Sequence, residues 1–299
     1  MSARRAFRFG VVAALATSGD DWVSKVQRIE SLGFSTVVVP DGLRYTLAPF
    51  PALAAAAAAT RTLRVGTYVV ANDYRHPVML AKDAASVDLL SNGRFEFGIG
   101  AGRPGAGEDQ AMMGQPFDSG SVRLARLAEG LSILRPLLSG ETVTLAGRYY
   151  QVENAQALPA PLQKPPPILI AASGRQMLAL AGREADIVAL GLPPTASEAE
   201  AAEKIGWLRE AAGPRFDQIE LNLNVMAVGD RVPRYLQMQM GLTAEKLAQG
   251  GALSALTGSP DEMCATLERR RDQFGISYIM VGEELVDGLA PVVERLVGR

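Results

Sequence analysis

The chain has 299 residues, 48% hydrophobic and 21% charged, with a formal net charge of −2 and a mean hydropathy of +0.09. That balance gives a soluble-type chain with material for a substantial core, and it excludes the basic footprint of a nucleic-acid binder. One cysteine, Cys264, excludes an internal disulfide and fits a reducing compartment, and one histidine, His76, excludes HExxH zinc sites.

Residues 2–7 followed by FGVVAALA look like a twin-arginine leader, with Ala14-Leu15-Ala16 as a cleavage site. Arg8 interrupts the apolar run, however, and the alternation reads as a first strand, 8–12, so a cytoplasmic protein is expected. No run approaches the roughly 20 apolar residues of a membrane span. A helix begins at about Asp20, buries Trp22, Val26 and Ile29, and stops at Gly33. Strand 36–39 ends at Pro40-Asp41-Gly42, and 50–59 is an alanine-rich helix. Strand 64–70 carries Gly66. His76-Pro77 then opens a helix with Val78, Ala81, Ala85, Val87 and Leu89 on its apolar face, and Asn92-Gly93 closes it. Strand 95–99 runs into Gly100-Ala101-Gly102, a loop extends to about 120, and 121–138 is a long helix.

A small hairpin is expected over 142–150, turning at Ala146-Gly147, with a proline-rich connection to 167. Strand 168–171, helix 174–182, strand 187–190, helix 197–212 and strand 220–228 follow, then an irregular methionine-rich stretch, 232–251. Ser259-Pro260-Asp261-Glu262 is a capping box opening a helix to about 274; strand 278–281 and helix 289–297 end the chain. Eight strands, nearly all followed by helices, predict a (β/α)8 TIM barrel in one domain, 1–299. Insertions fall at about 103–120, 140–167 and 230–256; a doubly wound sheet is the alternative. The echo between LGFSTV at 32–37 and FGISYI at 274–279 supports the repeat.

Ligands of parallel units sit at the carboxyl ends of the strands, which puts 68–74 and 100–107 on one rim. Gly100-x-Gly102-x-x-Gly105 has the spacing of a dinucleotide fingerprint, but Pro104 and the residues after it read as a long loop without the required helix. A glycine-lined wall for a flat ligand is the better reading. Ala171-Ala172-Ser173-Gly174-Arg175 joins a strand to a helix and suits an anion; the alternative is a tight turn with a capping serine and a solvated arginine. His76 reads as a helix cap and Cys264 as inert core. Met238 and Met240 read as adaptable packing, and Tyr149 and Tyr150 as either a lid or filling under the hairpin.

Four blocks, LGFSTVVVPD, LRVGTYVV, RHPVMLAKDAASVDLLSNGRFEFGIGAG and PPPILIAASGRQMLALAGREADIVALG, make the chain resemble the luciferase-like oxidoreductases, especially their coenzyme F420-dependent branch. The resemblance implies a (β/α)8 barrel, often a homodimer, holding F420 or alternatively FMN. It implies a non-prolyl cis peptide at Tyr68–Val69, in the strand end Gly66-Thr67-Tyr68-Val69, as a bulge behind the cofactor ring. Asn72 is a further cofactor-binding position, Gly100, Ala101 and Gly102 flank the ring's other side, and Ala171 to Arg175 hold its phosphate. Asp41 matches an acid near the ring's polar edge. Two positions depart from the family: Gly42 where relatives frequently have histidine, and Arg103 where they often have tryptophan. With that histidine absent, proton delivery falls to Asp41, Tyr45, Asp73, Glu108 or water; Asp41, Tyr45 and Glu108 are the catalytic candidates. No metal, nucleic acid or membrane partner is implied. The expected activity is hydride transfer between the deazaflavin C5 and a small organic substrate, as an F420H2-dependent reductase. An FMN-dependent monooxygenase and a non-catalytic binding protein on the same fold are the alternatives.

Overall fold

The computed structural model describes residues 5–103 and 105–299; residues 2–4 of the leader-like segment and Pro104 lie outside the described residues. In chain order the elements are β1 (Arg8–Val12), α1 (Gly19–Ser31), β2 (Thr36–Val39), α2 (Pro49–Ala59), β3 (Arg64–Thr67), β4 (Val70–Ala71), α3 (Pro77–Leu90) and β5 (Phe95–Gly100). They continue with α4 (Ala106–Met112), α5 (Gly120–Ser139), the hairpin β6 (Val143–Ala146) and β7 (Gln151–Ala155), β8 (Ile168–Ala172), α6 (Arg175–Glu184), β9 (Ile187–Leu190) and α7 (Glu198–Ala212). The last are β10 (Glu220–Val225), β11 (Ala227–Val228), α8 (Arg234–Met240), α9 (Ala244–Gln249), β12 (Ala255–Leu256), α10 (Pro260–Phe274), β13 (Ile276–Gly282) and α11 (Val286–Leu296). The alternation expected from the sequence is present.

The chain groups into two compact units, and it passes from one to the other after β1, within α1, within β2 and within β8. The first unit comprises 5–13, 27–37 and 171–299. Its parallel strands pair β1 with β13 (Phe9 opposite Ile279), β13 with β10 (Leu223 opposite Ile279) and β10 with β9 (Leu221 opposite Val188). Alternate residues of β1 and β13 are fully buried on both faces, as expected of parallel strands covered by helices. The capping box at Ser259 is formed, with Pro260 in the first turn. Arg271, nearly buried, stacks on Phe7 and donates to the carbonyls of Arg5 and Arg299, tying α10 to both chain ends.

The second unit comprises 14–26 and 38–170. Here β5 is the central strand, pairing with β3 (Val65 opposite Phe95), β4 (Val70 opposite Ile99) and β8 (Gly98 opposite Leu169). Gly98 is required by close approach: a Cβ there would sit 2.0 Å from the Thr67 carbonyl oxygen. The Thr67 hydroxyl bridges to the same residue, accepting from the Gly98 N–H at 2.8 Å and donating to its carbonyl at 2.7 Å.

Several expectations need correction. Strand 64–70 is interrupted, because a cis peptide at Tyr68–Val69 separates β3 from β4. The loop 103–120 contains α4, and the irregular 232–251 contains α8 and α9, two helices of seven and six residues. The hairpin turns at 147–150, with its return strand starting at Gln151. In α3, Leu89 is exposed; the buried face follows Leu80, Ala81, Ala84, Ala85 and Asp88, so a carboxylate rather than a leucine completes it. Asp88 is fully buried and accepts from the N–H groups of Leu162 and Gln163 and from Gln163 Nε2, at 2.7–2.9 Å, which anchors the proline-rich connection.

Candidate functional site

In the second unit, the carboxyl ends of β2, β4 and β5 bring most of the expected residues together. Asp41 follows β2 and is an ion-pair partner: its oxygens accept from Arg75 Nη1 at 2.6 Å and Nη2 at 3.2 Å, and Oδ2 also from the Ala71 N–H. Its side chain is 5% exposed. Both oxygens being engaged, Asp41 acts on this rim by fixing Arg75 and the end of β4. Glu108 lies on the surface, paired with the equally exposed Arg44. Asp73 is held by Arg126 at 2.8 Å.

The acid that sequence reading missed is Asp109. It is 1% exposed, its Oδ2 accepts from the Tyr74 hydroxyl at 3.1 Å, and Arg103 Nη2 lies 3.8 Å away. Its Oδ1 has no hydrogen-bond partner. Burial and the Asp109 carboxylate, helped by Asp41 and opposed by Arg103, push the Tyr74 phenol up to about 12. A Cβ on Gly42 would lie 3.1 Å from Asp109 Oδ2 and 3.2 Å from the Tyr45 ring. Asp109 and Tyr45 therefore fill the space that a side chain at position 42 would enter. The signal for Asp109 was available: Ala106, Asp109 and Gln110, all buried, stand at i, i+3 and i+4 of a helix read as loop.

Tyr68 and Val69, half-buried, carry the cis bond that the resemblance implied. Gly66 lies against β5, where a Cβ would be 2.8 Å from the Glu96 carbonyl oxygen. Asn72 is fully buried: its Nδ2 donates to the Tyr150 hydroxyl at 2.9 Å, and its Oδ1 faces Gly130. Tyr150 in turn meets His76 edge-on at 5.4 Å, while His76 caps α3 as expected. After β5, Ala101 and Gly102 stand half-exposed, with Gly102 at φ +84°. The helix that follows, α4, is short and carries Glu108 and Asp109 in its first turn, the wrong charge for a pyrophosphate. The dinucleotide fingerprint is thus disfavoured by acid, not by the absence of a helix.

The hairpin turn is held from α5. Glu129 accepts from the N–H groups of Arg148, Tyr149 and Tyr150 at 3.0, 2.8 and 2.7 Å. Burial alone would raise the pKa of Glu129, but these three bonds, with the Arg148 charge, outweigh it and hold the carboxyl below its usual 4.5. A depressed native pKa contributes stability that is complete above the unfolded value and fades as pH falls through the native one. We expect the stability gap between wild type and Glu129→Gln, measured by urea unfolding, to be constant from neutral pH down to about 4.5 and to close below it. A gap that persists undiminished at pH 3 would contradict the carboxylate clamp.

In the first unit, β8 ends at Ala172 and α6 begins at Arg175, with Ser173, Gly174 and Arg175 all exposed. Gly174 is the N-cap, no side chain caps the helix, and its first turn holds no acid. A Cβ at Gly174 would meet nothing within 4 Å. Uncapped N–H groups, open space and a neighbouring guanidinium fit an anionic group such as a cofactor phosphate. Arg175 at present donates to Glu210 at 3.2 Å, an exposed pair that an anion can compete with.

The luciferase-like monooxygenase family matches residues 8–234. The chain belongs to that family. Among relatives of this luciferase-like protein, an F420-dependent glucose-6-phosphate dehydrogenase from Beutenbergia cavernae is 35% identical over 165 residues, covering 52% of this chain and 48% of that protein. A Kribbella flavida protein of the same name is 31% identical over 239 residues, covering 76% and 70%. The chain spans about half the length of the first curated relatives it matches, 48% to 60%. The F420-dependent tetrahydromethanopterin reductase of Methanopyrus kandleri shares 18% identity and a TM-score of 0.78, over 98% of this chain and 100% of that one. That likeness shows the fold, a (β/α)8 barrel. No helix of this luciferase-like chain is long and apolar enough to cross a membrane, and no group of three or more His, Cys, Asp or Glu could hold a metal, among the described residues.

Proposed function

We propose that this protein is an F420-dependent oxidoreductase, moving hydride between the deazaflavin C5 and a small organic substrate. The observation that carries the reading is the uncapped, acid-free and open N-terminus of α6 at Gly174, in a chain whose curated relatives are named F420-dependent dehydrogenases. The cofactor, when bound, supplies a two-electron hydride carrier; the protein's part is binding, orientation and exclusion of water. Ala171 to Arg175 are proposed to hold its phosphate. Gly66 to Val69 on one side, and the backbone of Gly100, Ala101 and Gly102 on the other, are proposed to wall its ring. Asp41 holds the rim rigid through Arg75. For the proton that accompanies hydride transfer, the hydrogen-bonded pair Tyr74 and Asp109 is proposed as the candidate on this rim, with Tyr45 beside it. Family resemblance further supports a homodimer, and a single buried cysteine supports a reducing, cytoplasmic setting.

The family's description as luciferase-like monooxygenases favours a second reading, FMN-dependent oxygen chemistry on the same barrel. Titrating the purified protein with F420 and, separately, FMN, by ligand fluorescence, separates the readings. We expect F420 to bind in the micromolar range or tighter, with FMN at least about tenfold weaker. Preference for FMN would move the assignment to the monooxygenase, and binding of neither would leave a non-catalytic role.

A further inference from the structure

We infer that Arg123, on α5, is the positioning residue that sets the Gly100–Gly102 backbone for a flat ligand; the inference rests on the cofactor reading above. Arg123 Nη1 donates to both the Ala101 and the Gly102 carbonyls, each at 2.7 Å. Its Nε donates to the Asp118 carbonyl at 3.1 Å, and its guanidinium stacks 4.2 Å above the Phe117 ring. Phe117 lies against Gly107 of α4, where a Cβ would be 3.3 Å from the ring. One side chain therefore fixes the glycine loop, the start of α5 and, through Phe117, the short helix between them.

The geometry is specific to a planar fork. Two adjacent carbonyls converge on one nitrogen while Nε is committed elsewhere, an arrangement that a lysine cannot reproduce. Both carbonyls are turned toward Arg123 on α5, and residues 100 and 102 bring no side chain to this turn. Gly102 has the positive φ that this turn needs, and a Cβ there would be 3.1 Å from Arg123 Nη1. Side chain and loop are thus matched to each other. Charge-assisted bonds to carbonyls at 2.7 Å are among the stronger neutral–ionic contacts, so the loop is held more firmly than its three small residues could hold themselves.

The test compares wild type, Arg123→Ala and Arg123→Lys by amide hydrogen exchange, by F420 fluorescence titration and by thermal melting. For Arg123→Ala we expect exchange at 100–103 to accelerate about tenfold and F420 to bind about tenfold more weakly, with protection in β1, β10 and β13 unchanged. Millimolar guanidinium should restore both values, and Arg123→Lys should be weakened nearly as much as the alanine variant. Unchanged exchange at 100–103 would overturn the inference. So would a loss spread evenly over the chain with no response to guanidinium, which is the signature of a merely structural arginine. If wild type does not bind F420, the cofactor reading fails by itself, and the exchange comparison still decides whether Arg123 sets the loop.

Discussion

A Gly174→Glu variant should bind F420 at least about 100-fold more weakly than wild type while being slightly more stable. The two signs come from one cause. Gly174 has an ordinary φ of −91° and open space at its Cβ, so neither strain nor crowding opposes the new side chain. The glutamate carboxylate would sit at a helix N-terminus that now has no cap. There it would accept from the free N–H groups and meet the positive end of the helix dipole, a gain of about 0.3–1 kcal/mol. A phosphate bound at the same groups would lose those donors and face a like charge. Gly174→Ala, which fills space without charge, is the control and should change affinity by less than about threefold. Fluorescence titration and thermal melting read the two effects separately. Undiminished F420 affinity in the glutamate variant would remove residues 171–175 from the cofactor assignment.

The second large effect is on stability. Asp88→Ala should destabilise the fold by about 3 kcal/mol, about 1 kcal/mol for each donor it strands, read as a fall in urea midpoint with unchanged slope. Three donors, the N–H groups of Leu162 and Gln163 and the Gln163 side-chain amide, converge on this carboxylate in a place closed to water. Removing the acceptor strands them and detaches the proline-rich connection from α3. Asp88→Asn keeps one acceptor oxygen and should fall between. A cost below about 1 kcal/mol for alanine would mean that the connection is held elsewhere.

How much of this was readable beforehand follows from range of interaction. β1, β2, β9 and α10 lie within a residue of where the sequence places them, because their signals are local: alternation, a capping box, proline in the first turn. Asp88 was not readable, because its partners lie more than seventy residues away and a carboxylate on an apolar face looks like an error in the pattern. The hairpin turn was misplaced for the same reason. Gly147 looks like a turn glycine, yet what fixes 147–150 is a carboxylate from α5, about twenty residues upstream. The catalytic candidate Glu108 and the missed acid Asp109 are neighbours in sequence but face apart on α4, so only recognition of that helix could have singled out the buried one.

The face of α5 that carries Arg123, Arg126 and Glu129 has a consequence for protein engineering. At three-residue intervals it grips the glycine loop, Asp73 and Asp118, and the hairpin turn. Loops on a barrel rim are commonly regarded as exchangeable modules, grafted one at a time to change specificity. Here they share an anchor, so a loop imported from a relative without its helix would arrive with no counterpart to hold it. The unit to transplant is α5 together with the segments it carries, and libraries that randomise 100–103 or 147–150 should leave Arg123, Arg126 and Glu129 in place.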